Sequence, residues 1–425
     1  MTDTIIVGAG LSGLSAAIRL AQAGAKVTLF TFGLGGIQLG QGTIDVLGYS
    51  LAGSRPTPAD TAITDPFAAM SQHLTGHPGH PYATVPLASI RDSVDWLAAL
   101  VPDLLTPGDG VNHMVPTALG GLRPTYLIQP SMTWSNPSSI AVVSPRQIKD
   151  FYPRLAAANL TKTAHVDAHG YHIDLPARPG EVDSSPVAYA TALDRSDFAR
   201  RFVELVANAI ADEEVIGLPA ILGLHPDTAE SIARALGRPV VEFLLPPPSV
   251  PGMRLNVALT QRAKDLGVRV VIGSKVTGFT SAGAKVTGVV VAQAGRDQTY
   301  PCDHVVYAPG GFESGALTMD SYGGVRETLF DLPVVGATAE DLITGDYWAD
   351  QRLFACGVAV DSAMTPLDVL GQPIYTNLHA VGGLLAGAVR WTEKSGDGIA
   401  ITSAVRAADA IVSPGVTPTT NERTR

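Results

Sequence analysis

Gly8, Gly10 and Gly13 stand in the spacing G-x-G-x-x-G within TDTIIVGAGLSGLSAAIRLAQAGAKVTLFT, residues 2–31. The first glycine permits a tight turn, the second lets backbone approach a phosphate, and the third lets strand and helix pack closely. The helix that follows turns the free N–H groups of its first turn toward an anion. The chemistry of this stretch is nucleotide binding, with Gly8, Gly10, Leu11, Ser12 and Gly13 as the cradle. A carboxylate is expected about 20 residues further on, where it would hold a ribose 2′-OH. Here the second strand ends Leu29-Phe30-Thr31-Phe32, with neither a carboxylate nor an arginine. Either the Thr31 hydroxyl binds the ribose weakly, or there is no adenosine ribose to bind.

Three later segments add to the cradle. A glycine-rich loop, GLGGIQLGQGTIDVLG at residues 33–48, offers Gly33, Gly42 and Thr43. VVYAPGGFESG at residues 305–315 delivers Ala308, Gly310 and Gly311 from the end of an apolar run. NLHAVGGLLAG at residues 377–387 delivers Gly382 and Gly383, and is followed by Gly396-Asp397-Gly398 and Ile399 at the head of a helix. The order resembles that of two-dinucleotide-binding-domain flavoproteins. There a helix N-terminus beside the flavin would stabilise the anion of the reduced ring.

These residues need a scaffold, and the periodicity supplies one. Strands are predicted over residues 4–7, 26–30, 269–272 and 303–308, and a helix over residues 11–23 closed by Gly24. A hairpin or meander is predicted over residues 276–293, and helices over 89–100, 195–211, 228–236, 255–266 and 396–412. PPPSVPG at residues 246–252 is stiff punctuation and marks a domain crossing. The fold class is α/β: a Rossmann-like flavoprotein fold with a parallel sheet, a discontinuous cofactor domain and an inserted α+β domain. The cofactor domain is expected over residues 1–50, 252–315 and 365–412. The insert is expected over 51–251, a second cap segment over 316–364 and a disordered tail over 413–425.

Composition narrows the class. The chain has 425 residues, 46% hydrophobic and only 16% charged, which fits a large buried core. A net charge of −10 argues against nucleic acid as a partner. Only Cys302 and Cys356 occur, too few for a disulfide framework or a cysteine-ligated cluster. No uncharged apolar run is long enough to span a membrane. The reading is cytoplasmic, with electrons, if handled, carried by an organic cofactor.

Short matches in fixed order give the chain a closer likeness. They are GQGTIDVLG, HPY at residues 80–82, TALGGLRPTYL around Arg123, PPSVPGMRL around Arg254, APGGFESGAL, GGVRE around Arg326, and NLHAVGGLL. With the opening glycine stretch, they make the sequence resemble the B subunit of anaerobic, quinone-linked glycerol-3-phosphate dehydrogenases. The resemblance covers most of the chain. It implies FMN as cofactor, with FAD the alternative. It further implies an FAD-bearing catalytic partner (A) and a membrane-associated iron–sulfur partner (C). The implied reaction is oxidation of sn-glycerol 3-phosphate to dihydroxyacetone phosphate, with electrons passed through the iron–sulfur partner to quinone. The FAD-bearing partner is the expected seat of substrate oxidation, and the membrane's inner face is reached only through partners. The glycine- and cysteine-rich segment such proteins carry before the last helix is replaced here by EKSGDGIAITSAV. The alternatives are a self-sufficient FAD enzyme of fumarate-reductase type and a non-catalytic assembly protein of the complex.

A phosphate dianion calls for guanidinium groups. Arg123, Arg254 and Arg326, in the segments that carry the resemblance, are the candidates. His379 beside the cofactor strand is a candidate base for the hydroxyl proton. No metal is expected: His73, His77 and His80 lie in a Gly/Pro loop without a carboxylate or cysteine nearby. His80 alone reads as a turn or site residue. Ser144-Pro145-Arg146 and Glu213-Glu214 read as surface features.

Overall fold

The computed structural model describes residues 3–51, 62–293, 295–337, 342–346 and 351–413. Apart from Ser413, the tail expected to be disordered lies outside the described residues.

The β-branched run Asp3–Val7 pairs in parallel with Lys26–Thr31 through the intervening helix Leu11–Gln22, as the glycine spacing requires. Gly24 follows that helix at φ +83°, a left-handed turn that suits glycine. The full sheet has five parallel strands in the order Leu378–Ala380, His304–Tyr307, Asp3–Val7, Lys26–Thr31 and Arg269–Ile272. Its members come from both ends of the chain, so the sheet is discontinuous in sequence. The final helix, Gly396–Val412, packs on Leu11–Gln22, which also packs against the helix Val250–Asp265. The strands over 276–301 form an antiparallel meander.

A second sheet occupies the insert. Its four strands, Asp167–Ile173, Ser139–Pro145, Val215–Pro219 and Val240–Phe243, lie in that spatial order and are all parallel. The insert was expected to be α+β. Its main sheet is parallel because helices, among them Pro153–Thr163, Ser196–Ala209 and Asp227–Leu236, fill the connections, and crossovers of that length join parallel strands. The segment expected as one insert also divides between two apolar cores. Phe67, Met70, Ile90, Val94 and Leu97 pack into the core of the five-stranded sheet, while Ile140, Val143, Phe202 and Ile216 belong to the insert's own. The reason is that the helix Leu87–Leu100 lies against the final helix. Among the described residues no helix is long and apolar enough to cross a membrane.

Two expected surface features are interior. Ser144 and Pro145 are buried in a central strand of the insert, and only Arg146 of that trio is exposed. Glu213 is buried and accepts a hydrogen bond from the Tyr171 hydroxyl, while Glu214 is exposed and accepts from Ser138.

The halves are joined by a buried ion pair. Arg254, on the helix Val250–Asp265, donates from Nη1 to Glu242 Oε2 at 2.7 Å and from Nη2 to Oε1 at 3.0 Å. Glu242 sits on the insert's edge strand and also accepts from the Ser131 hydroxyl and the Leu222 N–H. Burial works to raise the Glu242 pKa, but the Arg254 charge and these hydrogen bonds outweigh it and hold the carboxyl below its usual range. Its contribution to stability is therefore present above the ordinary carboxylate pKa and is lost as pH falls through the lowered value. Arg254→Met strands a buried carboxylate and is expected to cost about 3–5 kcal/mol in denaturant unfolding. Arg254→Met combined with Glu242→Leu should recover most of that loss; a double variant no more stable than the single one would contradict this account.

Candidate functional site

A groove of about 600 Å³ runs over the C-terminal ends of the five-stranded sheet. Of the expected cofactor residues, Gly8, Gly10, Leu11, Ser12, Thr31, Gly33, Gly42, Thr43, Ala308, Gly310 and Gly383 line it. Gly13, Gly311, Gly382, Gly398 and Ile399 are not on its wall. They are close-packing positions: a Cβ on Gly13 would overlap the Gly8 carbonyl, and one on Gly382 the Ser12 hydroxyl. Gly8 itself sits at φ +107° against the Ala308 carbonyl. Gly10 differs, because its backbone is extended at φ −72° and a Cβ there would meet nothing within 4 Å. The open space over Gly10, at the N-terminus of Leu11–Gln22, is the shape a phosphate cradle needs.

The groove continues past Thr31 along Phe32, Ser274, Lys275 and Val276. The Thr31 hydroxyl donates to the Gly33 carbonyl at 2.6 Å, so its proton is already engaged.

At its other end the groove shares Gly40, Thr43, Glu313, Gly383, Arg390, Gly396 and Asp397 with a second cavity of about 610 Å³. Apolar wall comes from Phe312, Phe354 and Trp391, and Cys356 also lines the space. Six charged residues line it: Arg123, Arg390, Lys394, Asp45, Glu313 and Asp397.

These charges are ordered by a chain of hydrogen bonds. Arg123 donates from Nη1 to both Asp45 oxygens, at 2.9 and 2.8 Å, and from Nη2 to Thr43 Oγ1 at 2.7 Å. Thr125 donates to Asp45 Oδ1 at 2.6 Å, and the Asp45 backbone N–H donates to Asp397 Oδ2 at 3.0 Å. Asp397, in the first turn of the final helix, has its pKa pushed up to about 7. Burial is the main cause and the Asp45 charge adds to it, while the Asp45 N–H, Arg123 and Lys394 pull the other way. Burial and the Arg123 charge lower the Lys394 pKa.

The turn that carries Arg390 and Lys394 is fixed by Glu393. Its carboxylate accepts from the Val389 N–H, the Ser395 hydroxyl and His80 Nε2. His80 Nδ1 accepts the Tyr82 N–H at 3.1 Å, so the ring proton lies on Nε2 and points to Glu393. His80 is thus a buried support for the site. His73 and His77 lie outside both cavities.

The anion-binding expectations need correction. Arg254 lines neither cavity, and its guanidinium is held by Glu242, Gln129 Oε1 and the Gly223 carbonyl. Arg326 is exposed on the strand Val325–Glu327 and also lines neither. Arg123 lines the second cavity but is closed on Asp45. His379 is buried in its strand, stacked on His304, with Nδ1 2.8 Å from the Ala363 carbonyl. Burial depresses its pKa to about 4, and it lines neither cavity. The residues that sequence reasoning missed are Asp45, Arg390, Lys394 and Asp397. For Arg390, Lys394 and Asp397 the signal is the charge cluster RWTEKSGD that runs into the final helix, while Asp45, in GQGTIDVLG, carries no such signal.

Residues 3–399 match the family described as FAD binding domain. A Halobacterium salinarum protein, named as the probable B subunit of anaerobic glycerol-3-phosphate dehydrogenase, is 29% identical over 96% of this chain and 97% of its own. A Yersinia pseudotuberculosis protein, named as the B subunit of the same enzyme, is 28% identical over 97% and 98% respectively. Among solved structures, a 3-ketosteroid delta1-dehydrogenase from Sterolibacterium denitrificans aligns over 97% of this chain and 99% of that one. Its identity is 12% and the TM-score is 0.45.

The glycine geometry separates two roles by mutation. Gly10→Val should leave the melting temperature of cofactor-stripped protein near wild type while weakening cofactor retention by about tenfold or more. Gly13→Ala, which must displace the Gly8 backbone, should lower the melting temperature of the stripped protein itself. Equal destabilisation by both changes would show that Gly10 serves packing, not a ligand.

Proposed function

This chain belongs to the FAD-binding-domain family, and from that premise we propose that it is the flavin-carrying subunit of an anaerobic glycerol-3-phosphate dehydrogenase. Its relatives in an archaeon and a bacterium carry that enzyme's name and match over nearly their whole length. The observation that carries the reading is the junction of the cofactor groove with a charged second cavity at Gly383, Arg390, Gly396 and Asp397. A flavin, when bound, supplies the two-electron acceptor for alcohol oxidation. The residues of this chain hold it and manage the proton. Gly8, Gly10 and the N–H groups of the first turn of Leu11–Gln22 would hold its phosphates, and Gly310 and Gly383 would let its remaining length lie close to the backbone.

The reading favours FAD over the FMN that the resemblance implies. The groove extends beyond Thr31 to Ser274, Lys275 and Val276, which leaves room for an adenosine at a ribose site without an acidic residue.

The second cavity favours substrate oxidation in this chain over a pure relay from the FAD-bearing partner. Asp397 is the base of this reading: its carboxylate takes the substrate hydroxyl proton while Asp45 N–H and Arg123 hold the surrounding loop. In this reading electrons leave through the iron–sulfur partner toward quinone. These two partners complete the assembly, and the chain reaches the cytoplasmic face of the membrane through them.

Acid release and chromatography of the cofactor from the purified chain should yield FAD. FMN would overturn the dinucleotide assignment, and a colourless protein the flavin reading itself. Addition of sn-glycerol 3-phosphate and a soluble dye should give dye reduction by this chain alone. Activity seen only with the FAD-bearing partner present would make this chain a relay.

A base must be ionised to accept a proton, so the rate at saturating substrate should climb as pH rises through about 7 and then level. Asp397→Asn should lower turnover by about 100-fold or more and abolish that limb. An unchanged pH profile in the variant would remove Asp397 from the proton path.

A further inference from the structure

The arginines expected to receive an anion are engaged elsewhere, so the cavity's available positive charge must be sought among the remaining cations. Arg123 is closed on Asp45 and Thr43. Among the described residues Arg390 has only a long pair, 3.9 Å to Glu313, whose side chain is 64% exposed and open to screening by water. Lys394 forms no ion pair or hydrogen bond through its ammonium among the described residues, although its side chain lines the cavity.

The backbone at Lys394 is as unusual as its charge. It follows the short helix Arg390–Glu393 in the left-handed region at φ +54°, a conformation in which glycine or asparagine ordinarily ends a helix. Strained non-glycine residues persist where the surroundings over-determine them, and they cluster at ligand sites. Here Glu393 over-determines the turn through Val389, Ser395 and His80, and its carbonyl takes the Gly48 and Tyr49 N–H groups. The protein thus holds a lysine where a glycine would sit more easily, and presents it to a cavity with no hydrogen bond or ion pair at its ammonium among the described residues, only the longer-range charges of Asp45, Asp397 and Arg123.

We propose that Lys394, with Arg390 as second cation, forms the seat for a small phosphomonoester dianion in the second cavity, beside the Asp397 carboxyl. The six charges facing the site allow it. Asp45 is ion-paired with Arg123, Glu313 is mostly exposed and holds Arg390 only at 3.9 Å, and Asp397 is the one acid of the six without an ion pair among the described residues. Phe354 and Trp391, edge to face at 6.1 Å and both partly exposed, form an apolar rim to the cavity. The identity of the ester as glycerol 3-phosphate rests on the function proposed above; the seat for a phosphate dianion does not.

The test is calorimetric titration of the cofactor-loaded full chain with inorganic phosphate, sn-glycerol 3-phosphate and, as uncharged control, glycerol. Phosphate and the ester should bind saturably, and glycerol should bind far more weakly. Lys394→Gly should weaken both anions by about tenfold or more while the melting temperature stays level or rises, because glycine relieves the left-handed turn. Lys394→Arg should keep most of the affinity, and Arg326→Gln, outside the cavity, should keep all of it. Anion affinity within about twofold of wild type in Lys394→Gly would overturn the seat. Phosphate that binds only the cofactor-stripped chain would also overturn it, since the cations would then serve the cofactor. Phosphate binding without oxidation of the ester would leave the seat standing and sink the dehydrogenase reading. Undiminished ester binding and oxidation by Lys394→Gly would do the reverse.

Discussion

The buried Arg254–Glu242 pair fixes where the insert sits on the cofactor domain, and the geometry of both cavities follows from it. Arg254 stands on the helix Val250–Asp265 of the cofactor domain and Glu242 on the insert's edge strand, so the pair spans the join. Gln129 extends the link. Its carbonyl accepts from Arg254, and its amide donates to the carbonyls of Gly42 and Pro251. Gly42 belongs to the loop that floors the groove, and Gly40, Gln41, Thr43 and Asp45 of that loop line the second cavity. Two charges taken out of water are costly, and such a pair persists only where geometry and extra hydrogen bonds satisfy it. Ser131, Leu222 N–H and the Gly223 carbonyl meet that condition.

The second cavity shows how one set of charged residues is sorted into different tasks. Asp45 accepts hydrogen bonds from Arg123 on both oxygens and from Thr125, which leaves it as a brace. Asp397 receives one backbone N–H and lies against the cofactor groove, so burial and its neighbour's charge dominate its behaviour. A pair of carboxylates set apart in this way is the usual arrangement where one residue must exchange a proton and the other must not. Glu393 is a third acid with a third task. It lines neither cavity and, with His80, shapes the turn that presents Arg390 and Lys394.

Local features were legible where local physics decides them. The strand, glycine turn and helix at the N-terminus follow from short-range sterics: Gly8 is left-handed, Gly13 has no room for a Cβ, and Gly24 ends the helix. The final helix was legible over its whole length, residues 396–412, from its alanine-rich period and its Gly-Asp-Gly head. The arginines were not. Arg123, Arg254 and Arg326 share a residue type and a glycine-rich setting, yet one braces an aspartate, one clamps two domains and one faces solvent. His379 looked like a base because it stands on the cofactor sheet, but a strand alternates faces and its side chain packs on His304.

The sequence by itself determined the nucleotide cradle and the α/β class, because these rest on glycine spacing and periodicity that act within a few residues, and it carried the family as short motifs in fixed order along the chain. Only the tertiary structure decided which charges are paired and which are left facing the cavity. Asp45 and Asp397 are 352 positions apart and Arg254 lies 125 residues from Gln129, so no local pattern could join them. Whether a carboxylate is a brace or a base, and whether a cation is free or closed, depends on burial and on partners brought in by the fold. A side chain's charge is written in the sequence, but the cost of exposing or neutralising it is set by what surrounds it.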